Sequence, residues 1–567
     1  MAGGLLNIVS VGNNNVMLTG NPTKTFFKVT YNKYTNFGLQ KFRIDYDGLR
    51  ELRLNESSTF SFKIPRYAEL LMDSYIVVSL PDIYSPVYHP VTGNDSKWSP
   101  YEFRWIENIG AMMIESVEIT AGNMTLQKYS GNYINALVER DFTEDKKKLF
   151  KEMSGDIEEL NTPSQSNNRI NTYPNAIYTT NSNGAEPSIR GRNLYVPLCA
   201  WFSMNNGCAL PLIALQYNEV KINVTLRPIR DLFQVRDIFD PANNYPYVKP
   251  DFNEDRYHMY RFLQTPPSFQ LDAANYTNKV STWNADVHLM TTYCFLSKEE
   301  ATKFAKQDHV YLVKDIHEYK HENITGAKKI KLETSGMVAS WMFYLQRNDI
   351  NLRNEWSNFS NWPYRTLPQN TDLYYAYEKD ANGNLTGQED IAGNFPNVNP
   401  DVAVANSSET RGRIRTGLSH TGNYAVVNRK HILETLGIVF DGDYRENLLT
   451  HGVYDYIEKF SHSKGNAKPG LYCYNFCLNT SPFEYQPSGA INMSRFKTIE
   501  LELTTYTPPV DDVNSSFDII CDTDGNPIGV RKANWRLFDY NYNLHLMEER
   551  YNIISFINGT CGLMYAR

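Results

Sequence analysis

"LPLIALQYNEVKINVTL", Leu210–Leu226, opens as a compact apolar run and ends in strict alternation, with Val220, Ile222, Val224 and Leu226 apolar and the residues between them polar. A period of two places all four on one face of a β-strand, so the stretch reads as a half-buried strand. The construction returns in "INMSRFKTIELELT", Ile491–Thr504, where Ile499, Leu501 and Leu503 alternate. Each is preceded by a compact aromatic strand, "LYVPLCAWFSMN" from Leu194 and "LYCYNFCLNT" from Leu471.

Upstream the echo continues. "IESVEITAGN" (Ile114–Asn123) and "LETLGIVFDGD" (Leu433–Asp443) both run apolar, Glu, hydroxyl, apolar, then alternate and close on turn residues. Both lead into mixed segments, "YSGNYINALVERDF" and "THGVYDYIEKFSH". The same ingredients in the same order predict two homologous all-β domains. Glu115 to Phe202 spans 87 residues and Glu434 to Phe476 spans 42, so the first copy carries about 45 more. The polar stretch 156–193 accounts for them as a surface loop, whose closure entropy grows only logarithmically with length.

Six prolines between Arg227 and Pro267, interleaved with aromatics, read as an ordered connector. A second insertion, rich in Asn, Gly and Thr, lies near 354–425. The expected organisation is an arm at 1–24, a first sandwich at 25–227, a connector at 228–275 and a second sandwich at 276–567. At the start, Asn21-Pro22 supplies a turn, and Phe27, Val29 and Tyr31 alternate as a short strand would. Helix is sparse. The spacing of Leu137, Val138, Phe142, Leu149 and Met153 predicts one helix over 135–153, with Gly155 beyond its end; Ser297 caps a shorter one over 297–307.

Composition narrows the function. With 41% hydrophobic and 21% charged residues the bulk of the 567-residue chain should fold, into two to four domains by length, and 39 Tyr favour strands. The net charge of −7, without a basic arm or domain, lacks the footprint of a nucleic-acid binder. No run approaches the roughly 18 apolar residues of a membrane span. "MAGGLLNIVSVGNNN" has no basic region for a secretory signal, and Ala2 stands where myristoylation needs Gly. Seven Cys without a framework of spacings agree with a reducing, cytosolic site of synthesis. Without an export signal, the thirteen Asn-x-Ser/Thr sequons, Asn123, Asn223, Asn323 and Asn558 among them, carry little weight.

The motifs that could carry chemistry are decoys. "HEYKH" (His317–His321) satisfies H-E-x-x-H, but that zinc motif needs a helix and a third ligand. The surrounding alternation is that of a strand, where residues four apart lie roughly 13 Å from each other. "CYNFC" (Cys473, Cys477) lacks a second ligand pair, and Cys208 lacks a base partner; all three read as buried thiols. "NEWSNFSNWPY" (Asn354–Tyr364) has the aromatics to stack a sugar or base, but reads rather as packing for the foot of a long loop. There is no phosphate-binding, dinucleotide or nucleophile-elbow motif. No catalytic, cofactor-binding or metal-ligating residue is expected.

Four segments carry a resemblance that spans the chain: "MAGGLLNIVSVGNNNVMLTGNPTKTFFKVTYNKYTNF" at the start, "NLYVPLCAWFSMNNGCALPLIALQYNEVKINV", "GLYCYNFCLNTSPFEYQPSGAINMSRF", and "YNIISFINGTCGLMYAR" at the end. With these the sequence resembles the major capsid proteins of nucleocytoplasmic large DNA viruses, and in "RNEWSNFSNWPY" the algal and amoebal giant-virus members. The connector and the 354–425 insertion are long for compact members. The resemblance implies a double jelly roll: two tandem eight-stranded sandwiches with long loops and a few short helices, forming a homotrimeric pseudo-hexagonal capsomer without enzymatic activity. It further implies a subunit of an icosahedral virion assembled at cytoplasmic viral factories. Implied partners are neighbouring capsomers, minor capsid proteins and the inner membrane side of the shell through the N-terminal arm, without direct nucleic-acid contact and with glycans on outer loops. The alternatives are a minor capsid or transient scaffold protein of the same fold, or a carbohydrate-binding or hydrolytic β-sandwich.

Overall fold

The computed structural model describes residues 12–565 except 47, 89–98, 101, 170–172, 175, 177–185, 238–245, 268–272, 365–375, 380–384, 390–428, 512–516, 522, 524–525 and 533–536. The alternating stretches form the strands they predict. The first sandwich consists of β1 (Phe37–Asp45), β2 (Ser58–Lys63), β3 (Leu70–Leu80), β4 (Ile114–Ala121), β5 (Met124–Tyr129), β6 (Arg192–Pro197), β7 (Leu210–Pro211), β8 (Val220–Leu226) and β9 (His288–Leu296). One sheet runs β1-β9-β3, with β6 and β7 end to end along the far side of β3; the other runs β2-β8-β4-β5.

The second sandwich repeats this order. Its strands are β10 (His309–Ile324), β11 (Ala327–Lys331), β12 (Met337–Arg347), β13 (Leu433–Phe440), β14 (Asp443–Thr450), β15 (Leu471–Asn475), β16 (Ile491–Asn492), β17 (Ile499–Thr505), β18 (Tyr542–Ile557) and β19 (Thr560–Leu563). The sheets run β10-β18-β12, with β15 and β16 along β12 and β19 on β18, and β11-β17-β13-β14. Even the irregularities recur. A bulge falls between Ile119 and Thr120 in one hairpin and between Ile438 and Val439 in the other. The fold is two tandem jelly rolls.

Burial explains the pattern. Ile222 sits between Phe62 and Ile119, and Leu501 between Ile330 and Ile438, all inward and buried. Each such side chain contributes about 1.5–3 kcal/mol relative to exposure.

Four expectations are corrected. The strand "HLMTTYCFL" (β9) pairs with both β1 and β3, so it closes the first sandwich although it lies beyond the expected boundary at 276. A central strand needs a partner on each side, and only the first sheet offers that slot. The proline-rich stretch therefore connects two strands of the first sandwich, and two parts of it, Phe233–Arg236 and Tyr247–Val248, form a small sheet with Phe103–Trp105. The single helix over 135–153 is two, α1 (Gly131–Asp141) and α2 (Glu144–Ser154), because Phe142 turns extended and Thr143 starts anew. Gly155, at φ +81°, ends α2 as expected. Phe27, Val29 and Tyr31 form no strand; the chain from Gly12 to Asn36 has no sheet partner, and those side chains are exposed.

The shorter helix, α3 (Lys298–Lys306), starts on Ser297, whose Oγ accepts from the Glu300 N–H at 3.4 Å. Ser297→Ala should cost about 1 kcal/mol, read as a shift of the denaturant midpoint. In the second insertion, Ala376–Lys379 pairs with Leu385–Glu389, and most of the remainder lies outside the described residues.

Candidate functional site: the seam between the sandwiches

The most polar part of the interior lies where the sandwiches meet. Helix α1 follows the β5 edge of the first sandwich and presses against β10 and β18 of the second. Arg140, fully buried, bonds Asp141 Oδ2 at 2.7 Å, Glu549 Oε1 at 2.9 Å and Ser340 Oγ at 3.1 Å. Tyr133 donates to Glu549 Oε1 at 3.0 Å and Ser340 to Oε2 at 2.7 Å. Lys314 reaches Glu549 at 3.4 Å and the Thr480 carbonyl at 2.9 Å. Two positive and two negative charges thus neutralise one another, with Arg140, Asp141 and Glu549 fully buried and Lys314 partly so.

The carboxylates respond differently. Burial would raise Glu549, but Arg140, Lys314 and the hydroxyls of Ser340 and Tyr133 outweigh it and hold the group at about 2. At Asp141 burial wins over Arg140, and the carboxyl is raised. Thr480 donates to Asp141.

Backbone bonds flank this cluster. Gly465 N–H donates to Arg140 O at 2.8 Å and Ala467 N–H to Glu139 O at 2.9 Å. A Cβ on Gly465 would lie 2.5 Å from Arg140 O, so glycine is what allows this approach. Along the outer strands, Gln127 Nε2 donates to Lys314 O at 3.0 Å, and Ser130 N–H and Oγ donate to Glu318 at 2.9 Å. At the other end, "NEWSNFSNWPY" is the packed foot of the second insertion. Asn354 donates to Arg230 O and Phe233 O at 2.7 and 2.9 Å, and Trp356 to Asp231 O at 2.9 Å beneath the Arg227 guanidinium.

The predicted decoys fall where strand reasoning put them. His317 and His321 both lie on β10, with His317 3.2 Å from Asp315. Among the described residues no cluster of three or more His, Cys, Asp or Glu side chains could hold a metal. Burial pushes Cys199, Cys473 and Cys561 up to about 12 and Cys208 up to about 11, and it raises Cys477, which leaves these thiols protonated at neutral pH. The seam residues Arg140, Asp141, Lys314 and Glu549 were not singled out from the sequence. One available signal was the pair Glu548-Glu549 inside an apolar strand. Adjacent strand residues point to opposite faces, so one of the two had to face the core. Glu548 indeed turns inward, accepting from Trp341 Nε1 at 2.7 Å. What the seam can do is mechanical: it holds two like sandwiches as one body.

Comparison with known proteins agrees with the duplicated fold. Residues 25–290 match the family described as major capsid protein N-terminus, and residues 300–562 match large eukaryotic DNA virus major capsid protein. The first match ends within β9 and the second begins after it. The major capsid protein of Phaeocystis pouchetii virus is 24% identical over the whole of both chains. Capsid protein 1 of Acanthamoeba polyphaga mimivirus is 30% identical over 56% of this chain, a match spanning 44% of that relative. Among solved structures, the Faustovirus major capsid protein superposes over 98% of each chain with a TM-score of 0.55 at 13% identity, a likeness of fold. Two consecutive family matches covering nearly all of two tandem jelly rolls lead to one conclusion: the chain belongs to the major capsid proteins of large eukaryotic DNA viruses.

Proposed function

We propose that this chain is a non-enzymatic shell subunit, three copies of which form a pseudo-hexagonal capsomer that tiles an icosahedral virion. The observation that carries this reading is the strand-for-strand duplication. Six similar sandwiches around a threefold axis approximate sixfold packing, which gives a hexagonal lattice from one gene. The neutralised seam supports it further, since a tile must keep its two halves in fixed relation. Light scattering and negative-stain images of the purified protein test this: pseudo-hexagonal trimers are expected, and a stable monomer would overturn it.

The segment Gly12–Asn36 is the candidate grip on neighbours. It is exposed, carries Phe26, Phe27, Val29, Tyr31 and Tyr34 without packing them, and precedes the edge strand β1. Such apolar exposure marks a contact surface. Neighbouring capsomers, minor capsid proteins and the inner membrane side of the shell are the proposed partners, with glycans on outer loops and assembly at cytoplasmic factories. Deleting residues 2–20 should leave the trimer intact by size-exclusion chromatography and reduce shell assembly; loss of the trimer would place the arm in the capsomer itself.

A further inference from the structure

A cavity of about 80 Å³ lies beside the charged cluster, sharing Tyr133 and Lys314 with it, and both sandwiches wall it. Gln127 of β5, Leu137 of α1 and Trp201 of the short helix Trp201–Met204 come from the first. Leu312 of β10, Tyr551 of β18 and several residues of the loop from Asn479 to Ser488, between β15 and β16, come from the second. Glu484, Tyr485 and Gln486 in that loop are exposed and form a mouth open to solvent.

Three lining residues hold a buried polar atom with no hydrogen-bond partner in the protein: Gln127 Oε1, Trp201 Nε1 and Ser481 Oγ. These residues are 4%, 7% and 5% exposed. Buried polar groups are almost always paired, because an unpaired one gives up its hydration for nothing. Three orphans around one cavity therefore describe its occupant. The indole nitrogen only donates, the amide oxygen only accepts, and the hydroxyl does either. The neighbouring polar groups are already engaged. Gln127 Nε2 donates to Lys314 O, and Asn205 spans the Gly207 N–H and the Phe483 carbonyl. Both lining charges are paired, Lys314 with Glu549 and Glu484 with Lys464. Cys199 and Cys208, also in the wall, are neutral thiols. A neutral occupant fits such a wall.

Volume narrows the choice. One water takes roughly 30 Å³ in the liquid, so the space suits about two or three waters or one small organic group. Each buried water wants about two to four polar partners, whereas Leu137, Met204, Leu312, Val313 and Pro482 present apolar surface. A planar amide edge, with C=O and N–H side by side, carries the donor and acceptors the orphans lack.

We propose that this cavity binds a small neutral amide or lactam, its C=O accepting from Trp201 Nε1 and Ser481 Oγ and its N–H donating to Gln127 Oε1, with any substituent leading out past Tyr485. The ligand touches both sandwiches, so it ties them together, and its binding raises the stability of the folded chain by mass action. The site stands apart from the capsomer reading and holds for monomer and trimer alike.

The probe is γ-butyrolactam, with cyclopentanone, which keeps the carbonyl and lacks the N–H, as the control. Saturation-transfer NMR on the full chain should give a dissociation constant of about 10 mM or tighter for the lactam, the range open to so small a ligand. Cyclopentanone should bind about tenfold more weakly, because it leaves Gln127 unpaired. Ser481→Ala and Trp201→Phe each remove an orphan atom, so the free protein loses no hydrogen bond; each should weaken lactam binding by about fivefold or more. Ser481→Ala, the smaller change, should leave the thermal midpoint of the free protein unaltered, which keeps the test decisive where Trp201→Phe fails to fold. No saturation transfer, equal binding of the two ring compounds, or lactam binding that the variants leave unchanged would overturn the site. Waters alone in the cavity of a lactam-soaked crystal would also overturn it. An Asn or Gln side chain of another protein filling the cavity would assign it to that protein and overturn the proposal.

Discussion

Arg140→Ala should destabilise the protein by about 3–5 kcal/mol and uncouple its two halves. The guanidinium is fully buried and carries bonds to Asp141, Glu549 and Ser340. Removing it leaves Lys314 to balance Glu549 and leaves Asp141 with the Thr480 hydroxyl but no guanidinium, and an uncompensated buried charge costs several times what an exposed ion pair contributes. Denaturant unfolding followed by tryptophan fluorescence should show an earlier first transition and a split into two steps. The double variant Arg140→Met with Glu549→Gln removes one charge of each sign and leaves Lys314 with Asp141, so it should recover part of the loss. A loss below about 1 kcal/mol for Arg140→Ala would show that water reaches the seam.

Gly131→Ala should cost about 3 kcal/mol, opposite in sign to what helix propensity predicts. Gly131 opens α1, where alanine is ordinarily better than glycine by about 1 kcal/mol. Here an added Cβ would lie 1.9 Å from Ala111 O and 2.6 Å from Ile114 O. Both atoms are backbone, so relief requires moving α1 away from the turn that starts β4, and with it Arg140 and Tyr133 from Glu549. Overpacking of this kind costs more than helix propensity returns. A thermal midpoint equal to or above the parent's would refute the close approach.

What the sequence disclosed follows the range of the interactions. Val220–Leu226 and Ile499–Thr505 were legible because one buried face imposes a period of two that needs no knowledge of the partner. The duplicated order was legible because each sandwich repeats it within its own half. The seam was not: Arg140 and Glu549 are 409 residues apart, and nothing local marks either as paired. β9 was misassigned for a related reason, since Tyr293 owes its place to Leu39's neighbour Gln40 and to Leu71, far upstream. The break at Phe142 escaped because its apolar spacing continues through it; tertiary burial of that ring, against Phe150 and Phe483, overrides the helical period.

The position of each closing strand has a consequence for biosynthesis. β9 is the last strand of the first sandwich and β18 nearly the last element of the chain, yet each sits centrally in its sheet, bonded on both sides. The first half can complete once residue 296 has left the ribosome, while the second is still being made. The second half stays split, with β10 and β12 presenting open edges, until residues 542–557 have been made. Pairing across such separations is slow, and open edges invite mispairing between nascent chains. For a capsid protein, the interval before β18 inserts is when the second sandwich is most exposed to chaperones and to sibling chains.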